Sequence, residues 1–170
     1  MAGYGLPKEQ HLSVVLQKSL EFDGHNIEII NGSVSGSTSA GGLNIAEWTL
    51  SENNIDIMIL CLGANDMLRG INPKETKNNL EEIIEIAKNK NIKVIIAGMI
   101  APTSYGYAYK KSFDKIFSDL SKKHKLQLIP FLLEGVAQKP EFNLSDGMHP
   151  NDQGTIIIGN TLKNAILENL

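Results

Sequence analysis

The chain has 170 residues, of which 42% are hydrophobic and 21% charged, and a formal net charge of −3 at pH 7. This length suits one domain, and the composition is that of a globular protein, which excludes a disordered chain. The small negative charge and the lack of a dense Lys/Arg stripe exclude a protein built to bind nucleic acid, and no apolar run is long enough for stable membrane insertion.

The predicted elements alternate between helices and strands. Helical spacing of Leu12, Val15, Leu16 and Leu20 predicts a first helix, and a second is expected over residues 42–52 with Trp48 packed on the core. Later helical stripes are Leu80, Ile83, Ile84 and Ala87; Phe113, Ile116, Phe117 and Leu120; and Ile158, Leu162, Ala165 and Ile166. Short apolar runs predict strands at residues 27–31, 55–62, 92–99 and 126–131. This alternation implies one α/β domain over residues 1–170, with a parallel sheet covered on both faces.

Loops that follow the strands are the informative segments, because ligands of such sheets bind beyond the carboxyl ends of the strands. Three of these loops are unusual in composition, at residues 31–42, 63–70 and 145–154. Cys61, the only cysteine, lies in an apolar run just before the second loop. We expect it to be a buried structural thiol rather than a nucleophile.

The third of these loops contains the sequence Asp146-Gly147-Met148-His149-Pro150. An aspartate and a histidine three residues apart can fold into a tight turn in which the carboxylate holds one imidazole nitrogen and directs the other outward. That arrangement supplies the base and its orienting acid in a Ser-His-Asp site. Taken alone, the motif favours a polar turn in which Asp146 acts as a local cap and His149 lies on the surface.

The other two loops contain candidate hydrogen-bond donors for an oxyanion. Asn65 follows a predicted strand directly, and its side-chain amide could donate to a developing negative charge. Gly36 has no side chain to block a substrate, so its backbone N–H could approach the same charge closely. The alternatives are that residues 65–66 simply end a strand and cap a helix, and that the glycine lies in a flexible Gly/Ser loop or a phosphate cradle.

Together these segments resemble the SGNH (GDSL-type) hydrolases, in particular the small bacterial arylesterases, lysophospholipases and acyl-CoA thioesterases. Members of that family carry four sequence blocks, which contribute Ser, Gly, Asn and His in that order. Residues 33–36 resemble the second block with Gly36 as its glycine, and residues 63–66 resemble the third with Asn65 as its asparagine. Residues 146–150 resemble the fourth block, which makes Asp146 the acid and His149 the base. The agreement extends over about residues 2–155.

The first block departs from the family pattern, which resembles G-D-S-L-x-A-G-Y-G, whereas this chain opens M-A-G-Y-G. Met1 falls at the x position, so the nucleophilic serine would stand two residues before it. We expect Met1 to be an internal methionine of a longer natural protein. An in-frame Gly-Asp-Ser-Leu upstream would support this, and a stop codon there would refute it. A chain that truly began at Met1 would lack its first strand, and we would expect it to be poorly stable.

The resemblance implies a three-layer α/β/α sandwich of flavodoxin-like type that hydrolyses carboxylic esters or thioesters through an acyl-enzyme. Asp146 would orient His149, which would act as base and then as acid, while Gly36 and Asn65 would hold the oxyanion. The expected partner is a small acyl ester or thioester, without a cofactor or metal. Other serines are not expected to replace the nucleophile; those in the relevant loops are Ser33, Ser35, Ser37, Ser39 and Ser145.

Substrate-binding residues are expected beside this machinery. Met67 and Leu68 could line an acyl groove or belong to the core. By resemblance, residues 100–109, with Tyr105 and Gly106, form a mobile loop lining the acyl site, or else an ordinary surface loop. A non-catalytic acyl- or acetyl-binding module on the same fold is the alternative function. As written the chain has no signal peptide, so its location is open between the cytoplasm and, with an upstream leader, the periplasm.

Overall fold

The computed structural model describes residues 3–51 and 54–170. In these residues the helices α1 to α6 span Leu12–Phe22, Ser39–Thr49, Ala64–Leu68, Pro73–Asn89, Tyr107–His124 and Asp152–Leu167. The strands β1 to β3 span Ile57–Leu60, Lys93–Ala97 and Gln127–Ile129. The chain divides into two compact units, which we call the sheet unit (Gly36–Phe131) and the terminal unit (Met1–Ser35 with Leu132–Leu170). That residues 1–170 form one domain stays a prediction.

A parallel sheet lies at the centre of the sheet unit, with the strand order β1-β2-β3. The middle strand, β2, pairs on both sides, so that Ile95 lies opposite Ile59 on one neighbour and Gln127 on the other. Its residues Val94 to Ala97 are all buried, as expected for a parallel strand covered on both faces. The predicted α/β class with a parallel sheet is therefore confirmed.

Helices α4 and α5 of the sheet unit contact each other and β2. The apolar stripes that the sequence predicted on these two helices are buried throughout, and they comprise Leu80, Ile83, Ile84 and Ala87 on α4 and Phe113, Ile116, Phe117 and Leu120 on α5. Each of the leucine, isoleucine and phenylalanine side chains contributes roughly 1.5–3 kcal/mol relative to leaving it exposed. Asn72 starts α4, since its side-chain oxygen accepts a hydrogen bond from the Lys74 backbone N–H at 3.0 Å.

The terminal unit is built on the packing of α1 against α6. Leu12, Leu16 and Leu20 of α1 are buried, and the stripe predicted on α6 is buried as well. An ion pair between Lys163 Nζ and Asp23 Oδ2, at 2.7 Å, also joins α6 to the end of α1. None of the helices in the described ranges has both the length and the apolar character needed to cross a membrane.

The strand predicted at residues 27–31 is wrong. This segment has no ladder partner within the described ranges, and a side chain supplies its hydrogen bonds instead. Gln17 Nε2 donates to the Ile27 carbonyl oxygen, and the Ile29 N–H donates to Gln17 Oε1, at 2.8 and 2.7 Å. An apolar run forms a strand only where the backbone of a neighbouring strand can exchange hydrogen bonds with it.

The expected packing of Trp48 is also wrong, because its side chain is 77% exposed. The buried positions of α2 are Ser39 and Ala46, and Leu50 directly after the helix is buried too. At about 100° per residue, Trp48 lies on the opposite side of the helix from Ala46. The predicted helix began at residue 42, whereas α2 begins three residues earlier at Ser39, with Thr38 as its cap. The predicted end of the helix, Glu52, lies outside the described residues.

Candidate active site

Asp146 and His149 form a compact turn at the start of the segment leading into α6. Asp146 Oδ2 lies 2.8 Å from His149 Nδ1, and both side chains are about 40% exposed. Asp146 Oδ1 accepts hydrogen bonds from the backbone N–H groups of Met148 and His149, at 2.8 and 2.9 Å. Gly147 adopts a φ of +67°, a left-handed conformation that favours glycine and closes the turn. The predicted pair is thus held by side-chain and backbone bonds together.

A short hairpin-like frame supports this turn. The Leu144 N–H donates to the His149 carbonyl oxygen at 2.7 Å, and Asn143 and Pro150 form an antiparallel bridge. The buried Asn143 side chain anchors the frame by donating from Nδ2 to the carbonyl oxygens of Val136 and Lys139, at 2.8 and 2.7 Å. The turn is therefore fixed at its base although its tip is open to solvent.

The ionisation state of Asp146 determines which nitrogen of a neutral His149 carries the proton. The two backbone hydrogen bonds from His149 and Met148, and then the imidazole bond, lower the pKa of Asp146 to about 2. The carboxylate is ionised at neutral pH and can only accept, so a neutral imidazole must carry its proton on Nδ1. Nε2 is then left with its lone pair, which is the state required of a general base.

Tyr4 contacts this pair, and sequence reasoning assigned it no role. Its ring centroid lies 4.3 Å from that of His149, with 32° between the two planes. The only sequence signal was its place in the G-Y-G tail of the first block. Met1, which the sequence analysis placed at the x position of that block, lies outside the described residues.

Asn65 and Gly36 lie together in the sheet unit. Asn65 Nδ2 donates a hydrogen bond to the Ser37 carbonyl oxygen at 3.0 Å. Arg69 Nη2 donates to the Gly36 carbonyl oxygen at 2.9 Å, so both ends of α3 hold the same loop. Gly36 has a φ of +73°, which favours glycine at this position. The structure thus connects the two predicted oxyanion donors through a single peptide segment.

One interpretation of the sequence was that residues 65–66 simply end a strand and cap a helix. Asp66 does not cap α3, the helix in which it lies. Gly63 is the N-cap of α3, whereas the fully buried Asp66 carboxyl lies at the start of α2. Its Oδ2 accepts a bond from the Ser39 N–H at 2.7 Å, and its Oδ1 accepts from the Ser39 and Thr76 hydroxyls. This places an acidic group on the otherwise unpaired first N–H of another helix, where it is favourable.

Comparison with known proteins identifies the family. Residues 1–155 match the model of the "GDSL-like Lipase/Acylhydrolase family". The chain belongs to the GDSL-like lipase/acylhydrolase family. The predicted SGNH resemblance is therefore confirmed, and so at the level of the family is the hydrolase function.

Named relatives of this GDSL-like protein include esterases from two bacteria. The chain is 36% identical over 152 residues to the arylesterase of Vibrio mimicus, covering 89% of this chain and 76% of the relative. It is 35% identical over 149 residues to Esterase TesA of Pseudomonas aeruginosa, covering 88% and 74%. A solved structure of TesA superposes with a TM-score of 0.93 at 31% identity, covering 99% of this chain and 94% of that one. The psychrotrophic esterase EstA from Pseudoalteromonas sp. gives the same TM-score at 29% identity, covering 98% and 91%.

Three of the five loop serines of this GDSL-like protein have hydroxyl groups that donate hydrogen bonds within the protein. Ser33 Oγ donates to Asn31 Oδ1, Ser37 Oγ donates to the Thr38 carbonyl oxygen, and Ser39 Oγ donates to Asp66. That no loop serine replaces the family nucleophile stays a prediction. Cys61 is half-buried, and burial raises the pKa of its thiol, which disfavours the reactive thiolate.

The predicted substrate-binding residues lie in two places in the sheet unit. Met67 and the 45% exposed Leu68 end α3. Tyr105 ends a 3-10 helix (Thr103–Tyr105), and Gly106 begins α5. The Tyr105 ring stacks on Tyr109 at 5.5 Å between centroids.

The segment expected to be a mobile loop, residues 100–109, carries several bonds. Tyr109 Oη donates to the Ile71 carbonyl oxygen at 3.0 Å, just beyond α3. The Ala101 N–H donates to Asp114 Oδ1 at 2.9 Å, and Lys110 Nζ donates to the Ala101 carbonyl oxygen at 2.7 Å. The segment is therefore anchored at its start and, through Tyr109, near its end.

An open cavity of about 520 Å³ lies next to Tyr109. Its lining consists of Gly70, Asn72, Pro73, Lys74, Ala108, Tyr109 and Ser112. It does not include the four substrate-binding residues predicted from the sequence. Their role in binding stays a prediction, and so does the convergence of the Asp146–His149 pair with Gly36 and Asn65.

Three side chains on α4 and α5 could in principle hold a metal ion. The ligand atoms of Glu81, Glu85 and His124 lie within 4.8 Å of one another. Lys123 Nζ already binds Glu81 Oε1 at 2.7 Å, and His124 Nε2 binds it at 2.6 Å. The bond from Lys123, followed by that from His124, lowers the pKa of Glu81. This cluster fits an ion-pair network in which an ammonium group occupies the place that a cation would take.

Proposed function

We propose that the chain hydrolyses small carboxylic esters or thioesters through an acyl-enzyme, with His149 as general base and acid and Asp146 as its orienting group. The observation that carries the proposal is the 2.8 Å contact between Asp146 Oδ2 and His149 Nδ1. Membership of a lipase/acylhydrolase family supports it. Gly36 and Asn65 supply the donors for the oxyanion.

The proposed reaction begins at the serine of the family's first block. Its oxygen attacks the acyl carbon as its proton passes to His149 Nε2, and the carbonyl oxygen becomes an oxyanion. Collapse of this intermediate expels the alcohol or thiol, which takes the proton from Nε2. Water then attacks the acyl-enzyme in the same way, which releases the acid and restores the serine.

The side-chain amide of Asn65 is suited to the oxyanion role. One of its two N–H groups donates to the Ser37 carbonyl oxygen, which fixes the plane of the amide. The second N–H is then directed by that bond and can donate to substrate. A donor oriented in advance costs no reorganisation as charge develops, and removal of one such donor typically costs about 10²–10³-fold in kcat.

Acyl-group recognition is proposed for two apolar residues near Asn65, the partly buried Met67 and the exposed Leu68. Met67 and Leu68 lie in the same short helix as Asn65, so acyl chains held by them would place the carbonyl close to its amide. The ring of Tyr105 and the backbone of Gly106 would line the other side.

The test is hydrolysis of p-nitrophenyl acetate and an acyl-CoA by the longest in-frame form that the gene encodes. We expect turnover that His149→Ala reduces by at least about 10³-fold, since base catalysis and nucleophile activation are lost together. His25→Ala, a histidine outside the Asp146–His149 turn, serves as the matched control and should retain activity. Labelling with a fluorophosphonate, followed by mass mapping, identifies the serine that attacks.

Equal rates for His149→Ala and its parent would refute the proposal. Acyl or acetyl compounds that bind without turnover would instead favour the non-catalytic binding module. A fluorophosphonate adduct on one of the loop serines would move the nucleophile to that residue while leaving the role of His149 intact.

A further inference from the structure

A buried carboxyl group holds the loop that carries Gly36. Asp66 is fully buried, and the backbone N–H and the hydroxyl of Ser39 both donate to it. Asn79 Nδ2 donates to the same hydroxyl at 2.9 Å, so Ser39 is bonded from α3 and from α4. Ser39 is itself fully buried. The loop therefore has an end that is fixed by three hydrogen bonds.

The neighbouring residue in α3 holds the middle of the same loop. Asn65 donates to the Ser37 carbonyl oxygen, one residue beyond Gly36 and two before Ser39. Asn65 and Asp66 are adjacent in the sequence, so any shift of Ser39 relative to α3 would change the separation between the Gly36 N–H and the Asn65 amide. These are the two groups that must reach one oxygen atom at about 2.7–3.1 Å.

We propose that Asp66 is a positioning residue of the oxyanion site, which acts by holding Ser39 and so fixing Gly36 against the side chain of Asn65. This inference rests on the proposed function and deepens it. Asp66 does not touch the substrate. Its effect is on geometry, and a displacement of about 1 Å at a reacting centre can cost as much as about 10²-fold in rate.

The chain offers a matched pair of variants for the test. Ser39→Ala and Thr76→Val each remove one hydroxyl bond to Asp66 Oδ1, but only Ser39 lies on the loop. Ser39→Ala also removes the bond from Asn79, so the comparison tests the hold on Ser39 as a whole. We expect Ser39→Ala to lower kcat about tenfold or more while KM changes less than about twofold, since the loss falls on the transition state. Thr76→Val should leave kcat within about twofold of the parent. Equal kcat values in the two variants would overturn the inference.

A second measurement does not depend on turnover. Backbone ¹⁵N relaxation of the Gly36 and Ser37 amides in the whole chain should show order parameters that fall from about 0.85 toward 0.6 in Ser39→Ala and stay unchanged in Thr76→Val. An Asp66→Asn variant, which keeps an acceptor for the Ser39 N–H, should fall between Ser39→Ala and the parent. Unchanged order parameters in Ser39→Ala would refute the proposed positioning role of Asp66.

The two readouts separate the failure of this inference from failure of the proposed function. The parent chain could lack esterase turnover while the order parameters of the loop fall in Ser39→Ala and not in Thr76→Val. That outcome would refute the proposed function and retain the hold of Asp66 on the loop. An active parent whose kcat is insensitive to Ser39→Ala would retain the function and refute the role of Asp66.

Discussion

At the scale of single residues, the turn that contains Asp146 is the main cause of the low pKa of this acid. The bonds that lower the pKa of Asp146 come first from the backbone N–H groups of His149 and Met148, and only then from the imidazole. The backbone of the turn therefore stabilises the ionised carboxylate more than the imidazole does. Its contribution to stability is present in full above the ordinary pKa of 3.8 and is lost as pH falls through about 2.

This order of causes predicts how Asp146 titrates in a variant. In His149→Ala the pKa of Asp146 should rise from about 2 yet stay below 3.8, because both backbone hydrogen bonds survive the loss of the imidazole. ¹³C NMR titration of the carboxyl carbon in parent and variant measures both values. A pKa of 3.8 or above in the variant would show that the imidazole, rather than the backbone, is responsible for the low pKa of Asp146.

The contacts of the candidate-site residues differ in how well the sequence predicts them. Asp146 and His149 are three positions apart, so their pairing is a local property of the turn that the spacing predicts. Asp66 and Ser39 are 27 positions apart, and their bond depends on where the fold brings α2 and α3. Tyr4 and His149 lie near opposite ends of the chain, and no pattern within either segment predicts that their rings meet.

At the scale of elements, helices were predicted better than strands. The spacing of buried apolar residues on α4 and α5 is a property of each helix alone, whereas a strand exists only beside another strand. Residues 27–31 have the composition of a strand, but Gln17 satisfies part of their backbone. Helix boundaries were harder, since the cap of α2 is a threonine inside a Gly/Ser-rich loop.

Two glycines of α6 provide an element-scale prediction. A Cβ at Gly154 would lie 2.2 Å from the Phe142 carbonyl oxygen, whereas at Gly159 it would make an ordinary contact, 3.5 Å from Val15 Cγ1. Gly154→Ala should therefore destabilise the protein by about 1–3 kcal/mol, and Gly159→Ala should stabilise it by up to about 1 kcal/mol. Urea unfolding of both variants measures this difference.

Gly154 also bears on the active-site turn. The Phe142 carbonyl oxygen accepts the Asn151 N–H at 3.0 Å within the frame that supports His149. Gly154→Ala should consequently lower esterase activity as well as stability, while Gly159→Ala should preserve both. Equal stability of the two alanine variants would contradict the close approach at Gly154.

At the scale of the whole molecule, the distribution of hydrogen bonds predicts where the protein opens first. Ile95 and Ile96 in β2 are completely buried and paired on both sides, so their amides should exchange with solvent among the slowest in the chain. The amide of Ile29 is bonded to the Gln17 side chain rather than to a strand and should exchange much faster. Hydrogen–deuterium exchange followed by NMR measures both.

A single variant sharpens this exchange experiment. Gln17→Ala removes the partner of Ile29 and should accelerate exchange at that amide while leaving Ile95 and Ile96 unaffected. Comparable protection at Ile29 and Ile95 in the parent would mean that residues 27–31 are paired in solution.

The acid and base of the candidate site are contained in one short turn, and most of their bonds lie within it. The pairing of acid and imidazole is therefore largely independent of distant residues, and Asn143 ties the base of the turn to Val136 and Lys139. The oxyanion donors have no such independence, since their segment is tied to α3 and α4 by residues far apart in the chain. Sequence change within residues 143–150 would therefore act first on the predicted proton-transfer group, whereas change in α3 or α4 would act first on the predicted oxyanion donors.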